Sequence, residues 1–352
     1  MTGRADSLTD VAGLLVGHHH ALDPSATLGS GAATGCTVVR TLGGAVAAVD
    51  VRGGGPGTRE TDLLDPSHSV QQINAILLTG GSAYGLAAAD GVMRWLEEHG
   101  HGIPMGSPDQ VVPIVPAAVI FDLPVGDWAV RPTADFGFAA AEAAAADFAT
   151  GSVGAGVGAR AGVLKGGVGT ASTIIEGGPA DGVTVGALMV TNPVGSVFDP
   201  RTGLPWGVGS EGPKAFGMRK PDVHELWNAN SLAATGPALT TTSGVVATDV
   251  DLTAASCKRL AVAGHDGLAR AIRPAHSPLD GDTIFALSTG TRSVVTETSM
   301  PKAFAVDLPV LDAVTAVAAN VVERAIVRAL LDATSVAGIP TYRSIFPSAF
   351  ES

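Results

Sequence analysis

Three consecutive threonines, Thr240, Thr241 and Thr242, stand where a stretch rich in glycine, proline and polar residues gives way to a β-rich segment. Threonine favours strands, so a cluster at the start of a strand needs no functional explanation. A threonine hydroxyl within a chain can also attack the preceding carbonyl carbon, and hydrolysis of the resulting ester creates a new chain start. The free amine there, with a pKa of roughly 8, can act as the base for its own hydroxyl. The cluster is therefore compatible with a structural strand or with an N-terminal nucleophile.

Further polar residues could assist such a nucleophile, and each also has a structural explanation. Asp280 and Asp282 flank Gly281 before a predicted strand. Carboxylates at this spacing can point the same way, but a turn with solvated acids also fits. Lys165 lies in a long Gly/Ala/Val stretch and is either a surface residue or a functional cation. Asn192 follows a predicted buried strand, where turn residues are usual. Residue types alone leave these alternatives open.

Apolar segments predict the strands and helices that must position these residues. Strands are predicted at 37–40, 45–51, 75–79, 184–190 and 284–288, the first two forming a hairpin at Gly43 and Gly44. Helices are predicted at 82–99, with Ser82 as the N-cap, and at 134–148, 253–272 and 310–331. Residues 199–238 are rich in glycine, proline and polar side chains and are predicted to form an exposed connection. This order indicates a mixed α and β fold in which helices cover sheet faces.

The charge and hydropathy of the chain argue against several kinds of partner. Lys plus Arg number 21 against 33 Asp plus Glu, which gives a formal net charge of −12. Neither a nucleic acid nor an anionic membrane surface is therefore expected as a partner. No apolar run reaches the roughly 18 residues that a membrane span needs, and the N-terminal segment lacks the apolar core of a secretory signal. We expect a cytoplasmic protein.

Cysteine and histidine usage argues against a metal or redox site. Cys36 and Cys257 form no CxxC pair and are expected to be reduced packing residues. His18, His19 and His20 are adjacent, so their side chains diverge on any regular backbone, and no second cluster shows ligand spacing. The expectation is that the protein uses no metal and no cofactor.

Several long segments resemble the family of L-aminopeptidase/D-alanyl esterase-amidases, which includes β-peptidyl aminopeptidases and the nylon-oligomer hydrolase. The segments are GAVAAVDVRGGGPGTRETDLLDP, LLTGGSAYGLAAADGVMRWLEE, VVPIVPAAVIFDLPVGD, GAGVGARAGVLKGG, VTNPVG, GVVATDV and RPAHSPLDGDTIFAL. The resemblance runs over nearly the whole chain, and matches of this length and spread are specific, whereas any one glycine motif would be weak.

The resemblance implies a site and a maturation step. Matching VVATD to the family motif at the cut places cleavage between Thr240 and Thr241, with Thr241 as nucleophile. Residues 1–352 would form one domain, cut by itself into a large subunit, 1–240, and a small subunit, 241–352. The implied fold class is α+β, a four-layer α/β/β/α sandwich of the aminopeptidase/ornithine-acetyltransferase type. Processed subunit pairs would assemble into a homo-oligomer that acts on small peptides or amides.

The same matching assigns roles to four further residues. Asp280 and Asp282 correspond to an acidic or hydroxylic pair that would orient and polarise the hydroxyl and amine of Thr241. Asn192 corresponds to a residue that would help to hold the oxyanion. Lys165 corresponds to the family's active-site lysine, which would tune the charge of the site.

The chain departs from the family pattern at three positions. Thr240 replaces the usual Asn or Gly before the cut, and a β-branched residue is stiffer than Gly. One expectation is therefore slow or absent self-cleavage. Because three threonines are consecutive, another is a cut shifted by one residue. Ser243 replaces a usually aliphatic strand residue. Phe121, assigned to the substrate pocket, stands where several members carry Tyr, which removes one hydroxyl from the site.

Three functions stay open at this point. The first is hydrolysis of a small amide or peptide from its amino end through an acyl-enzyme at Thr241. The second is acyl transfer, because ornithine acetyltransferases have a related fold and also cut themselves before a threonine. The third is an uncleaved, non-catalytic relative that binds a small ligand, which the departure at Thr240 favours. The close motif matches favour the hydrolase.

Overall fold

The computed structural model describes residues 1–107, 110–209, 211–232, 239–294, 301 and 303–350. The strands are β1 (Leu14–Leu22), β2 (Ala33–Val51), β3 (Thr58–Arg59), β4 (Gln72–Thr79), β5 (Ile103–Pro104), β6 (Val111–Val112), β7 (Ala117–Val119), β8 (Arg160–Ala161), β9 (Leu164–Lys165), β10 (Gly167–Ile174), β11 (Thr184–Thr191), β12 (Ser243–Val250) and β13 (Thr283–Arg292). The helices are α1 (Ala88–Glu98), α2 (Ala134–Glu142), α3 (Val223–Ser231), α4 (Ala254–Ala271), α5 (Leu308–Leu331) and α6 (Tyr342–Ile345).

Strand β2 is 19 residues long and connects the two parts of the main sheet. The strand order is β10-β11-β12-β13-β2-β4-β7-β3, with β1 also paired to β2. The first half of β2 pairs with β1 and β4, and its second half pairs with β13. The predicted hairpin at Gly43 and Gly44 is wrong. The register shifts between Arg40 and Ala45, so the two glycines lie in a bulge within one continuous strand.

Alternating side chains along the strands bury three apolar layers. Val246 and Ala286 pack with α4 and α5 on one outer face. Val245, the neighbour of Val246, points the other way into an interior cluster that also contains Ile76 of β4. Leu77 packs with α1 and α2 on the opposite outer face. Both halves of the one main sheet contribute to the interior cluster, so the layers run helix, half-sheet, half-sheet and helix. This order confirms the four-layer α/β/β/α fold that the resemblance implied.

Small residues allow these layers to approach closely. A Cβ added to Gly267 in α4 would lie 2.2 Å from the carbonyl oxygen of Ala319 in α5. A Cβ added to Gly169 in β10 would lie 2.0 Å from the carbonyl oxygen of Ala325 in the same helix. Backbone atoms cannot yield to a side chain at such distances, so these glycines set the spacing between α5 and its two neighbours.

The connection through α4 determines which segments meet at one edge of the sheet. Helix α4 follows β12 and returns the chain to β13, which lies parallel to β12. The residues that precede β12 and those that precede β13 therefore lie at the same edge. Strand β11 is antiparallel to β12, so its carboxyl end, followed by Asn192, reaches that edge as well.

The predicted elements between the strands differ in accuracy. Helix α4 begins after Thr253, whose side chain accepts a hydrogen bond from the backbone N–H of Ser256 and caps the helix. Ser82 is not the N-cap of α1, because a 3₁₀ turn, Ser82–Ala87, precedes that helix. None of the helices in the described ranges is long and apolar enough to cross a membrane.

The connection predicted at 199–238 is only partly exposed where the structure describes it. This part contains helix α3, and both Met218 and Ala229 are buried in the outer core with α4 and α5. Residues 210 and 233–238 lie outside the described residues.

Candidate active site

The three threonines continue β12 backwards between two neighbouring segments. On one side, the backbone N–H of Thr241 donates to the carbonyl oxygen of Asn192 at 2.9 Å. On the other side, the N–H of Thr283 donates to the carbonyl oxygen of Thr242, and the N–H of Thr240 donates to Leu279, both at 3.2 Å. These ladder contacts fix the backbone of Thr241, and its side chain is only 4% exposed.

The hydroxyl of Thr241 lies beside the peptide bond that precedes it. Its Oγ1 donates to the carbonyl oxygen of Thr240 at 2.5 Å. The same carbonyl oxygen accepts the backbone N–H of Gly281 at 3.2 Å. A Cβ on Gly281 would lie 2.6 Å from Oγ1 of Thr241, so only glycine leaves room for this hydroxyl. The sequence marks Gly281 only as the residue between two acids and does not predict that its N–H contacts the site.

Asp280 faces the residue before Thr241. Its Oδ1 accepts the hydroxyl of Thr240 at 2.6 Å and the backbone N–H of Val194 at 3.1 Å. Its Oδ2 is buried and has no hydrogen-bond partner among the described residues. Burial raises the pKa of Asp280, the hydrogen bond from Thr240 opposes that shift, and the nearby charge of Asp282 adds to it.

Asp282 holds the residue after Thr241. Its Oδ1 accepts the backbone N–H of Thr242 at 3.0 Å. Its Oδ2 accepts the backbone N–H of His276 at 3.0 Å and lies 2.9 Å from Nδ1 of the same histidine. His276 was missed in the sequence, where a histidine six residues before an aspartate carries no signal of contact. The two acids therefore bracket Thr241, with Asp280 on the Thr240 side and Asp282 on the Thr242 side.

Asn192 lies against the same backbone. Its backbone N–H donates to Oγ1 of Thr242 at 3.3 Å, and its side-chain Oδ1 accepts the backbone N–H of Arg160 at 2.8 Å. Its Nδ2 is buried and makes no hydrogen bond within the described part of the chain. A buried amide donor without a partner is costly, so Nδ2 is available to bind a further acceptor.

Lys165 is fully buried and reaches this cluster indirectly. Its Nζ donates to the carbonyl oxygens of Gly156, Ala159 and Gly166 at 2.7, 2.8 and 2.8 Å. The carbonyl of Ala159 belongs to the same peptide unit as the N–H of Arg160 that binds Asn192. Burial lowers the pKa of Lys165 to about 7, against the opposing charge of Asp122. Nζ of Lys165 and the side chain of Asn192 therefore bind opposite ends of one peptide group.

Phe121 is partly exposed and lies beyond the end of β7. Its ring meets that of Trp128 edge-to-face, with centroids 6.2 Å apart. Trp128, which is 52% exposed, was not singled out in the sequence. The structure thus pairs Phe121 with a second aromatic side chain.

The histidine triplet on β1 splits between the two faces of the strand. Both ring nitrogens of His18 have partners, Oγ1 of Thr37 and the carbonyl oxygen of Ala149. The ring of His19 packs against Phe136. In the described ranges, no group of three His, Cys, Asp or Glu side chains could hold a metal ion.

Comparison with known proteins identifies the family of the chain. The sequence profile of peptidase family S58 matches residues 6–343. The chain belongs to peptidase family S58. An aminopeptidase of Mycobacterium tuberculosis H37Rv, itself uncharacterised, is 56% identical over 351 residues, which cover 99% of this chain and all of that protein. The 6-aminohexanoate-oligomer endohydrolase of a Kocuria species is 31% identical over 292 residues, 82% of this chain and 76% of that enzyme.

Solved structures agree with the fold of this S58 chain. The L-aminopeptidase D-Ala-esterase/amidase from Ochrobactrum anthropi, described as a variant of the Ntn-hydrolase fold, superposes with a TM-score of 0.70. The match covers 96% of this chain and 88% of that chain, with 22% sequence identity. The family is one of hydrolases of the aminopeptidase and amidase type, and its peptidase activity implies peptide or amide substrates.

Proposed function

We propose that this chain cuts itself between Thr240 and Thr241 and then hydrolyses small peptides or amides from the amino end through an acyl-enzyme at Thr241. The observation that carries the proposal is the position of Oγ1 of Thr241, 2.5 Å from the carbonyl oxygen of Thr240. That carbonyl is also polarised by the N–H of Gly281. A nucleophile held beside a polarised carbonyl needs little reorganisation before attack.

Self-cleavage would begin when Oγ1 of Thr241 attacks the carbonyl carbon of Thr240. The hydroxyl proton passes to the nitrogen of Thr241 as the C–N bond breaks, and the new bond is an ester. Water then opens the ester, leaving a carboxylate on Thr240 and a free amine on Thr241. Because Thr240 no longer fills the position beside Oγ1, a substrate acyl group can take its place.

In the processed enzyme, the amine of Thr241 would accept the proton of its own hydroxyl during attack on a substrate carbonyl. That amine starts next to the carbonyl oxygen of Asn192, which accepts its N–H in the uncut chain. Two donors support the oxyanion that develops: the N–H of Gly281 and the unpartnered Nδ2 of Asn192. The proton then passes from the amine of Thr241 to the leaving amine of the substrate. Water attacks the acyl-enzyme in the same way, with the amine of Thr241 as base, and releases the acyl group.

Asp282 would hold the nucleophile in position by binding the backbone N–H of Thr242, and not by contacting the hydroxyl of Thr241. Lys165 would stabilise the peptide group that orients Asn192. Phe121 and its neighbour Trp128 would supply apolar surface for the substrate. The proposal includes a homo-oligomer of processed subunit pairs in the cytoplasm, which light scattering after gel filtration and cell fractionation test.

The test begins with the intact mass of the denatured protein and N-terminal sequencing of any fragment. We expect two pieces, the smaller beginning at Thr241. Thr241→Val, which keeps the shape and loses the hydroxyl, should stay whole, and Thr241→Ser should still be cut. The processed wild type should release p-nitroaniline from aminoacyl p-nitroanilides.

Two results would redirect the proposal. A fragment that begins at Thr240 or Thr242 keeps the mechanism and moves the nucleophile by one residue. A wild-type chain that stays whole for days at several pH values refutes the active hydrolase and favours a ligand-binding relative. Transfer of acetyl between ornithine and glutamate, without amine release from aminoacyl amides, favours an acyltransferase instead.

A further inference from the structure

The uncut chain places its own acyl residue in the site as a substrate would be placed. The carbonyl oxygen of Thr240 lies between Oγ1 of Thr241 and the N–H of Gly281. The side chain of Thr240 therefore marks where the side chain of a substrate acyl residue would lie. The backbone N–H of Thr240, which donates to Leu279, likewise marks the position of the free amine of an L-aminoacyl substrate.

The side chain of Thr240 meets a carboxylate at this position. Its Oγ1, which is bonded to the β-carbon, donates to Oδ1 of Asp280 at 2.6 Å. Asp280 is 1% exposed, and its Oδ2 has no hydrogen-bond partner within the described residues. A hydrogen bond to a desolvated carboxylate is short and strong, and an acyl residue without a donor would leave the carboxylate short of one partner.

We infer that Asp280 is a specificity-determining residue that selects acyl groups with a hydroxyl on the β-carbon, namely L-threonyl and L-seryl groups. This inference rests on the proposed function of Thr241. The residue before the cut is then no obstacle to self-cleavage, because its hydroxyl satisfies the subsite that a preferred substrate would occupy. Asp280 acts on the acyl residue rather than on the nucleophile.

The contact with Asp280 exists before the reaction, so it strengthens ground state and transition state alike. Its effect should therefore appear mainly in KM and in kcat/KM, and less in kcat. Threonyl and valyl groups have the same shape and differ by one hydroxyl, which makes them a matched pair. A charge-assisted hydrogen bond to a buried group is worth about tenfold or more in binding.

The experiment uses the processed wild type and four p-nitroanilides, those of L-threonine, L-valine, L-serine and L-alanine. We expect kcat/KM for threonyl to exceed that for valyl by about tenfold or more, mostly through KM, and seryl to exceed alanyl. The L-allo-threonyl anilide exchanges the positions of hydroxyl and methyl and should react about as slowly as the valyl compound. Equal or better hydrolysis of the valyl anilide overturns the inference while amine release still supports the hydrolase.

Stability of the uncut chain provides a second readout of the same contact, measured in a Thr241→Val background that should stay whole. Thr240→Ser keeps the hydroxyl on the β-carbon and should melt at close to the temperature of its parent. Thr240→Val keeps the shape without the hydroxyl, removes the donor to Oδ1 of Asp280 and should lower the melting temperature by several degrees. Equal melting temperatures of the valine variant and its parent overturn the inference, and a wild type that never matures overturns the proposed function with it.

Discussion

Nδ1 of His276 lies 2.9 Å from Oδ2 of Asp282. The other oxygen of this carboxylate accepts the backbone N–H of Thr242, so the histidine is two hydrogen bonds from the backbone next to Thr241. The ring of His276 packs edge-to-face against His265, whose Nε2 lies 2.9 Å from the carbonyl oxygen of Asp50. We infer that these contacts hold Asp282 in one orientation and that His276 acts as a positioning residue.

The contact between His276 and Asp282 predicts a clear difference between two substitutions. His276 has a φ of +56°, a conformation that asparagine tolerates well, and an asparagine amide can donate from nearly the position of Nδ1. We expect His276→Asn to mature and react within about threefold of the wild type, whereas His276→Ala lowers kcat about tenfold or more. Intact mass and anilide hydrolysis measure the two rates. Equal activity of both variants would show that the contact does not position the site.

The buried amide of Asn192 predicts a large effect on the chemical step. Asn192→Ala removes the unpartnered Nδ2, so we expect kcat to fall about 10²- to 10³-fold with little change in KM, the usual cost of one oxyanion donor. The control is Asn228→Ala, which changes an exposed asparagine on α3 and should leave both constants unchanged. A loss confined to KM would assign Asn192 to substrate binding instead.

Sequence pattern predicted one helix and one strand, α4 and β11, almost to the residue and misinterpreted the longest strand, β2. Helix α4 lies within one residue of its prediction at each end, because helical spacing and a threonine cap mark it. Gly43 and Gly44 suggested a turn, since a bulge and a hairpin have the same local signal. What distinguishes them is the presence of β1, β4 and β13 along both halves of β2, and those partners are remote in the sequence.

The site was predictable only as far as residue matching reached. The structure brings Asp280, Asp282 and Asn192 together around Thr241, and the roles that the resemblance implies for them stay predictions. The role that we propose for each side chain was not predictable, because it depends on which neighbour of Thr241 the side chain faces. The contact made by the N–H of Gly281 was not predictable either, because the type of a residue does not mark its backbone donor.

Gly281 predicts a steric effect that can be tested directly. Gly281→Ala places a Cβ 2.6 Å from Oγ1 of Thr241 and 2.8 Å from the carbonyl oxygen of Gly55, so the hydroxyl or the backbone must shift. We expect an uncut chain and a melting temperature lowered by several degrees. Gly43→Ala is the matched control, because an added Cβ at Gly43 has no neighbour within 4 Å, and it should mature normally. Normal maturation of Gly281→Ala would contradict the placement of this hydroxyl.

Two buried charges behind the site predict how stability depends on pH. Burial raises the pKa of Asp122 to about 6 from its ordinary 3.8, although its hydrogen bonds from Gly81 and Thr34 oppose the shift. The folded chain then holds a proton that the unfolded chain has lost, so the free energy of unfolding falls as the pH rises from 3.8 to about 6. The pKa shift of Lys165 has the opposite effect on the free energy of unfolding. Its pKa falls from 10.5 to about 7, so the unfolded chain holds the extra proton and the free energy of unfolding rises across that range.

Urea unfolding of a Thr241→Val chain, which should stay whole, at a series of pH values measures both slopes. Asp122→Asn in the same background should remove the fall between pH 3.8 and about 6 and leave the rise at higher pH. Lys165→Met should flatten the rise between about pH 7 and 10.5, and it should also lower stability at every pH, because three carbonyl oxygens lose their donor. Because Asp122 and Lys165 interact, each substitution also shifts the pKa of the other group, so the comparison between each variant and its parent uses the sign of each slope. An acid slope that is identical with and without Asp122 would mean that this carboxyl is ionised in the folded chain throughout the range, and that its burial is fully offset by Lys165 and its hydrogen bonds.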